Sequence, residues 1–119
     1  PALMRDGNWQ PLSGYEATRA LMALPSPPTA IFFANDLMAL GGYDALRELG
    51  LRIPDDVAVM GYDDREIAQH LHPPLSTVLL PHYEMAGIAA EWLFDLSDGA
   101  PLRPRQIKVE CPIVKRRSV

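Results

Sequence analysis

With Cys111 as its one cysteine, the chain can form no internal disulfide and has no second thiol for a thiolate metal site. A reducing cytoplasm is the expected setting. No apolar run approaches the roughly 20 residues that cross a bilayer, so no membrane partner is expected. Basic excess is also missing. A formal net charge of −4 argues against direct binding to phosphate backbones, because such domains carry a basic face. No serine has a nucleophile-elbow setting and Cys111 adjoins Pro112, so no catalytic residue is nominated. His70 and His72 lack a third ligand, and Gly41-Gly42 falls inside a helix pattern rather than a phosphate loop. No metal and no cofactor is expected. The opening "PALMRDGNWQ" has neither an initiator Met nor a signal peptide's basic and apolar regions, so the chain reads as a piece of something longer.

What is present is a globular composition: 119 residues, 48% apolar and 22% charged, enough for one compact core. "SGYEATRALMAL" carries a capping-box pattern, Ser13 with Glu16, and predicts a helix from there to about Leu24, stopped by "PSPP". "TAIFFA" at 29 to 34 is apolar without alternation, the pattern of a parallel strand covered on both faces. "NDLMALGGYDALRELG" follows as a helix, with Gly42 permitting close packing and Gly50 at its C-terminal stop. "VAVM" completes a βαβ unit over 29 to 60, whose crossover should be right-handed. "STVLLP" is a third strand candidate. Met85, Ile88, Ala89, Trp92 and Leu96 then mark an amphipathic helix closed by Asp98-Gly99, and "QIKVE" is a possible edge strand. The fold class is α/β, a parallel sheet with flanking helices.

In such sheets ligands bind outside the carboxyl ends of the strands, where loops and helix N-termini present unpaired backbone donors. Asn35 and Asp36 stand at the end of one strand, Asp63 and Asp64 at the end of the next. An amide and a carboxylate there suit a small polar ligand, bound through its vicinal hydroxyls or ring nitrogens. Asp36 and Asp64 are the better helix caps, each just ahead of a helical stretch, which leaves Asn35 and Asp63 as the better ligand candidates. Trp9, in "DGNWQP", either stacks on a ligand ring or folds onto the nearby helix. The "KRR" at 115 to 117 is a short basic tail of the kind that stays solvated.

"PTAIFFANDLMALGGYDALRELGLRIPDDVAVMGYDDREIAQHLHPPLSTV" resembles the effector-binding domain of the lactose-repressor (LacI/GalR) family of bacterial transcription regulators. "TAIF-AND-MALG", "LRELGLRIPDDVAV-GYDD" and "PPL-TV" occur together, in order and with family-like spacing. The resemblance runs from about Asp6 to the terminal "VKRRSV" and covers the last third or so of a family member. It implies a partial sensor lobe of periplasmic-binding-protein type I, with residues 1 to 80 mainly the C-terminal lobe and 81 to 119 the crossover helix and C-terminal segment. It also implies effector contacts at Asp63, Asn35 and Trp9, and a homodimer interface at Leu40, Ile67 and Leu71. Operator DNA would be read only by an N-terminal helix-turn-helix with no counterpart in these residues, and an arginine that commonly binds effector lies upstream of Pro1. Leu80 stands where many members have a polar residue, often Gln. In relatives the chain crosses between lobes near "LLP"; here the apolar face of the 84 to 96 helix is expected to fold back on the sheet or to meet a second chain.

The function implied is ligand sensing and dimerisation for a regulator, usually a repressor, that answers a small effector, a sugar or sugar derivative. It involves no enzymatic step. A periplasmic sugar-binding protein of a transporter shares "ND-MALG" but usually lacks "LRIPDDVAV" with "PPL-TV". A receiver or phosphotransfer domain would need a cation near its acids, and no lysine precedes Lys108.

Overall fold

The computed structural model describes residues 2–99 and 106–119. Helix α1 spans Pro11–Met22, two residues earlier than the Ser13 pattern predicts, with Pro11 at its first turn and Gln10 as a cap residue that makes no side-chain cap bond. Proline sets this start because its fixed φ suits the first helical position, where a missing N–H loses no bond. The Ser13 hydroxyl is used outside the helix instead. It accepts the Asn8 N–H at 3.1 Å and donates to the Gln10 carbonyl at 2.9 Å, tying down the loop that carries Trp9.

Strand β1 (Ala30–Phe32) leads into helix α2 (Asp36–Glu48). The helix ends as its sequence predicts. Gly50 takes φ +71°, while the Gly50 and Leu51 N–H groups reach back to the Arg47 and Leu46 carbonyls at 3.0 and 2.9 Å, the Schellman arrangement. Helices α1 and α2 meet through glycines: a Cβ on Gly14 would lie 2.0 Å from the Met38 carbonyl oxygen, and one on Gly41 would lie 1.8 Å from that of Pro11. Close approach of backbones at this seam fixes the N-terminal loop against the start of α2.

Strands β2 (Ala58–Asp63) and β3 (Ser76–Leu79) join β1 in parallel, in registers such as Ile31 with Val59 and Gly61 with Thr77. A fourth strand, β4 (Ile113–Val114), adds to β3 antiparallel, giving the order β1-β2-β3-β4. "QIKVE" is not that strand. Pro112 has no N–H to give, so pairing begins after it, while its carbonyl accepts the Leu79 N–H at 2.9 Å. The core gathers Leu21, Ile31, Phe33, Met38, Leu46, Val57, Val59 and Leu75.

One expectation about coverage fails, and one of the two alternatives for the 84 to 96 helix fails with it. β1 is covered on one face only: Ile31 is buried but Phe32 is 61% exposed, because no element packs over the outer face or edge of this strand among the described residues. Helix α4 (His82–Ser97) does not fold back on the sheet; none of its residues is buried, and Tyr83, Leu93 and Phe94 are largely exposed. Met85, Ile88, Ala89 and Trp92 face Gln106, Ile107 and Val109 across a cavity of 310 Å³. The molecule is accordingly elongated, 59 × 29 × 20 Å. No helix among the described residues is long and apolar enough to cross a membrane.

Candidate functional site

Parallel pairing brings the carboxyl ends of β1, β2 and β3 to one edge of the sheet, and the polar residues after them converge there. Asn35 caps α2. Its extended backbone, φ −153°, lets Oδ1 accept the Met38 N–H at 2.8 Å, while Nδ2 donates to the Trp9 carbonyl at 3.1 Å. The cap expected of Asp36 therefore belongs to the residue before it. With only 6% of its surface exposed, Asn35 has both ends of its amide engaged, so its first role is to join the Trp9 loop to the sheet edge.

Asp36, one residue further on, is fully buried and ties three segments together. Oδ1 accepts from Thr77 Oγ1 of β3 and Oδ2 from the Arg65 N–H beyond β2, both at 2.7 Å. Gly61 makes room for it, since a Cβ there would lie 2.3 Å from Oδ1. Burial pushes the Asp36 carboxyl above its ordinary range, and the negative charges of Asp63 and Asp64 push the same way, against the two hydrogen bonds that favour ionisation. Sequence reasoning missed this role, because nothing local in "AND" distinguishes a cap from a cross-sheet tether.

Asp63 and Asp64 occupy consecutive left-handed positions, φ +108° and +53°. Aspartate tolerates the second angle better than most residues, whereas the first lies outside the common left-handed region. Strain of this kind costs on the order of 1–3 kcal/mol per residue and persists only where the surroundings hold it. Asp64 caps no helix: the following helix, α3 (Ile67–His70), begins after Glu66. Its carboxylate instead pairs with Arg116 Nη2 at 2.7 Å, with both side chains about 15% exposed. Arg116 is thus not a solvated tail residue, and with the partners 52 positions apart no spacing could have announced the pair. Asp63, in contrast, is half-buried and its carboxylate makes no hydrogen bond or ion pair among the described residues.

Trp9 is the remaining non-glycine residue of positive φ, +67°, among the described residues, and its side chain is 61% exposed. It forms one wall of a largely apolar groove of 470 Å³ with Leu21, Phe32, Phe33 and Met38. Asn35 and Asp63 do not line that groove. The structure thus joins Trp9 to Asn35 through the backbone and sets Asp63 at the neighbouring strand end. Of the residues expected at a dimer interface, Leu40 and Ile67 are half-buried, but Leu71 is 8% exposed and belongs to the chain's own core. The reason is that α3 turns Ala68 inward and Leu71, its C-cap residue, follows, while the Leu75 N–H bonds to the Ala68 carbonyl at 2.8 Å.

A mostly parallel sheet with flanking helices and a cluster of polar side chains at its strand ends defines a sensor lobe of periplasmic-binding-protein type. A family model described as "Periplasmic binding protein-like domain" matches residues 3–119, and the chain belongs to that family, on its lactose-repressor branch. It is similar to the probable HTH-type transcriptional repressor ExuR of Bacillus subtilis (strain 168), 38% identical over 113 residues, which cover 95% of this chain and 34% of that protein. Among solved structures it is similar to the Lac repressor bound to ONPG in its repressed state: TM-score 0.88, 35% identity, 97% of this chain and 35% of that one. The complex of the transcriptional regulator CelR with cellobiose is comparable, with TM-score 0.88, 37% identity, 95% of this chain and 35% of that one. The chain spans about a third of the length of the curated relatives it matches. Those relatives are repressors by name and not enzymes.

Proposed function

We propose that this chain is the C-terminal portion of the effector-binding domain of a cytoplasmic, DNA-binding transcription regulator, and that its effector is a sugar or sugar derivative. The observation that carries the reading is the backbone strain. Among the described residues, two of the three left-handed non-glycine positions, Trp9 and Asp63, are those nominated as ligand contacts, and such strain concentrates at binding sites. Asp63 offers sugar hydroxyls a carboxylate unclaimed among the described residues, and Trp9 offers an apolar ring face. Asn35 serves the same site by fixing the Trp9 carbonyl. The ligands named with the Lac repressor and CelR structures support a glycoside class of effector. Operator DNA would be engaged by a separate helix-turn-helix, and the effector would act by binding one arrangement of lobes better than another. Leu40 and Ile67, apolar and half-exposed on α2 and α3, are the residues we assign to a homodimer interface.

The reading is tested by titrating the complete regulator with a panel of disaccharides, monosaccharides and sugar acids in a calorimeter, a readout that does not depend on Trp9 itself. A saturable response that D63N weakens at least tenfold, about 1.4 kcal/mol, is expected. A response of full strength in both D63N and W9A would remove these residues from the site.

A further inference from the structure

Building on that reading, we infer that Arg116 is a positioning residue for the effector site, holding the strained Asp63-Asp64 turn in the shape that presents Asp63. The returning C-terminal segment does not need the Arg116 side chain for its own attachment. Ser118 Oγ donates to the Val59 carbonyl at 2.6 Å and accepts the Ser76 N–H at 2.7 Å, and the Val59 N–H reaches the Ser118 carbonyl at 2.8 Å. The Arg116 N–H bonds to Ser76 Oγ at 2.8 Å and the Arg117 N–H to the Pro74 carbonyl at 3.1 Å. With the backbone so anchored, the guanidinium is left to span two loops. Nη1 donates to the Leu75 carbonyl at 2.8 Å, before β3, and Nη2 to Asp64 Oδ1 at 2.7 Å, after β2.

A consecutive pair of left-handed aspartates does not hold itself, since neither residue gains from that backbone shape. It is held at two points here. Downstream, the Arg65 N–H is fixed on Asp36; within the turn, Asp64 is fixed on Arg116. The Arg116–Asp64 pair is largely shielded from water and Asp36 is buried, settings in which a charge-assisted hydrogen bond keeps its strength. Asp63 is the last residue of β2, directly before the two held points, so its direction is set by groups its side chain does not itself touch.

The test is a double-mutant cycle read by amide hydrogen exchange, which requires no effector and so stands or falls apart from the effector reading. In R116M the Arg65 amide is expected to exchange at least about tenfold faster, while the amides of Val59 and Leu46 keep their rates. R116K, which keeps a cation, should lose less. In a D64G background, where glycine accepts the left-handed angle freely, R116M should add less than about twofold. The inference is overturned if R116M leaves the Arg65 amide unchanged, if it accelerates the whole sheet equally, or if its effect is the same with and without Asp64. Should R116M not fold, D64N serves in its place, with the same expectation at the Arg65 amide and the same result against it.

Discussion

The contact between α1 and α2 makes a sharp prediction about glycine. A Cβ built on Gly41 lies 1.8 Å from the Pro11 carbonyl oxygen and 2.9 Å from the Tyr15 nitrogen, and all of these are backbone. An ordinary carbon-to-oxygen approach is about 3.3 Å or more, so G41A must part the two helices by roughly 1.5 Å. Alanine would otherwise favour the helix by about 1 kcal/mol. Overpacking of a tight contact typically costs about 1–3 kcal/mol, and here no side chain can rotate away, so a net loss of at least about 2 kcal/mol is expected. G50A isolates the other use of glycine. Its φ is +71° with nothing within 4 Å of a new Cβ, so it loses only the left-handed preference, roughly 1 kcal/mol. Urea unfolding followed by circular dichroism reads both. With a slope of about 1–3 kcal/mol/M, G41A should lower the midpoint by about 1 M and G50A by about half as much. A G41A midpoint equal to that of the unaltered chain, or a larger loss in G50A, would refute the seam as described.

D36A should cost about 2 kcal/mol or more, because it strands the buried Thr77 hydroxyl, worth about 1–3 kcal/mol when left unpaired, and removes the partner of the Arg65 N–H. T77V, which removes one of the two bonds, should cost less, and the reverse order in the same urea assay would show that Asp36 does not carry the network. Acid stability should depend on Asp56, whose carboxyl is held down to about 2 by hydrogen bonds from the Arg52 side chain and N–H. A lowered folded pKa gives stability that is complete above the ordinary value of 3.8 and lost as pH falls towards about 2. D56N should therefore flatten the change in Tm between pH 4 and pH 2; an unchanged slope would count against the pair. Asp36 contributes with the opposite sign: its raised carboxyl pKa means the folded state takes up the proton first, so stability falls as pH rises from 3.8 through the folded value.

How much of this was legible in the sequence follows from the range of the interactions. The order of strands and helices is local: apolar runs, Gly50 and the "PSPP" stop each act within a turn or two of themselves, and the observed elements follow them closely. Start points shift where two local signals compete, as Pro11 prevails over the Ser13 pattern and Asn35 takes the cap from Asp36. Coverage was harder to read. An apolar run predicts that a face wants to be buried but not what buries it, so Phe32 and α4 remain exposed despite patterns that call for a partner. Least legible were the tethers from Asp36 to Thr77 and from Asp64 to Arg116, 41 and 52 positions apart, because side-chain pairing at that distance leaves no periodicity to detect.

The two neighbouring acids, alike in sequence, are divided by this structure. Asp64 has an arginine at 2.7 Å and little exposure, so its charge is spent within the fold. Asp63 has a strained backbone, partial exposure and no ion pair of its own among the described residues. If both were structural, nothing would offset the strain at Asp63, and a glycine there would be the cheaper residue. That reasoning makes D63G the discriminating substitution. Relief of a φ of +108° should raise stability by roughly 1 kcal/mol or leave it unchanged, while the proposed sugar response is lost. Loss of stability in D63G together with an unaltered sugar titration would mean that Asp63, too, serves only the fold.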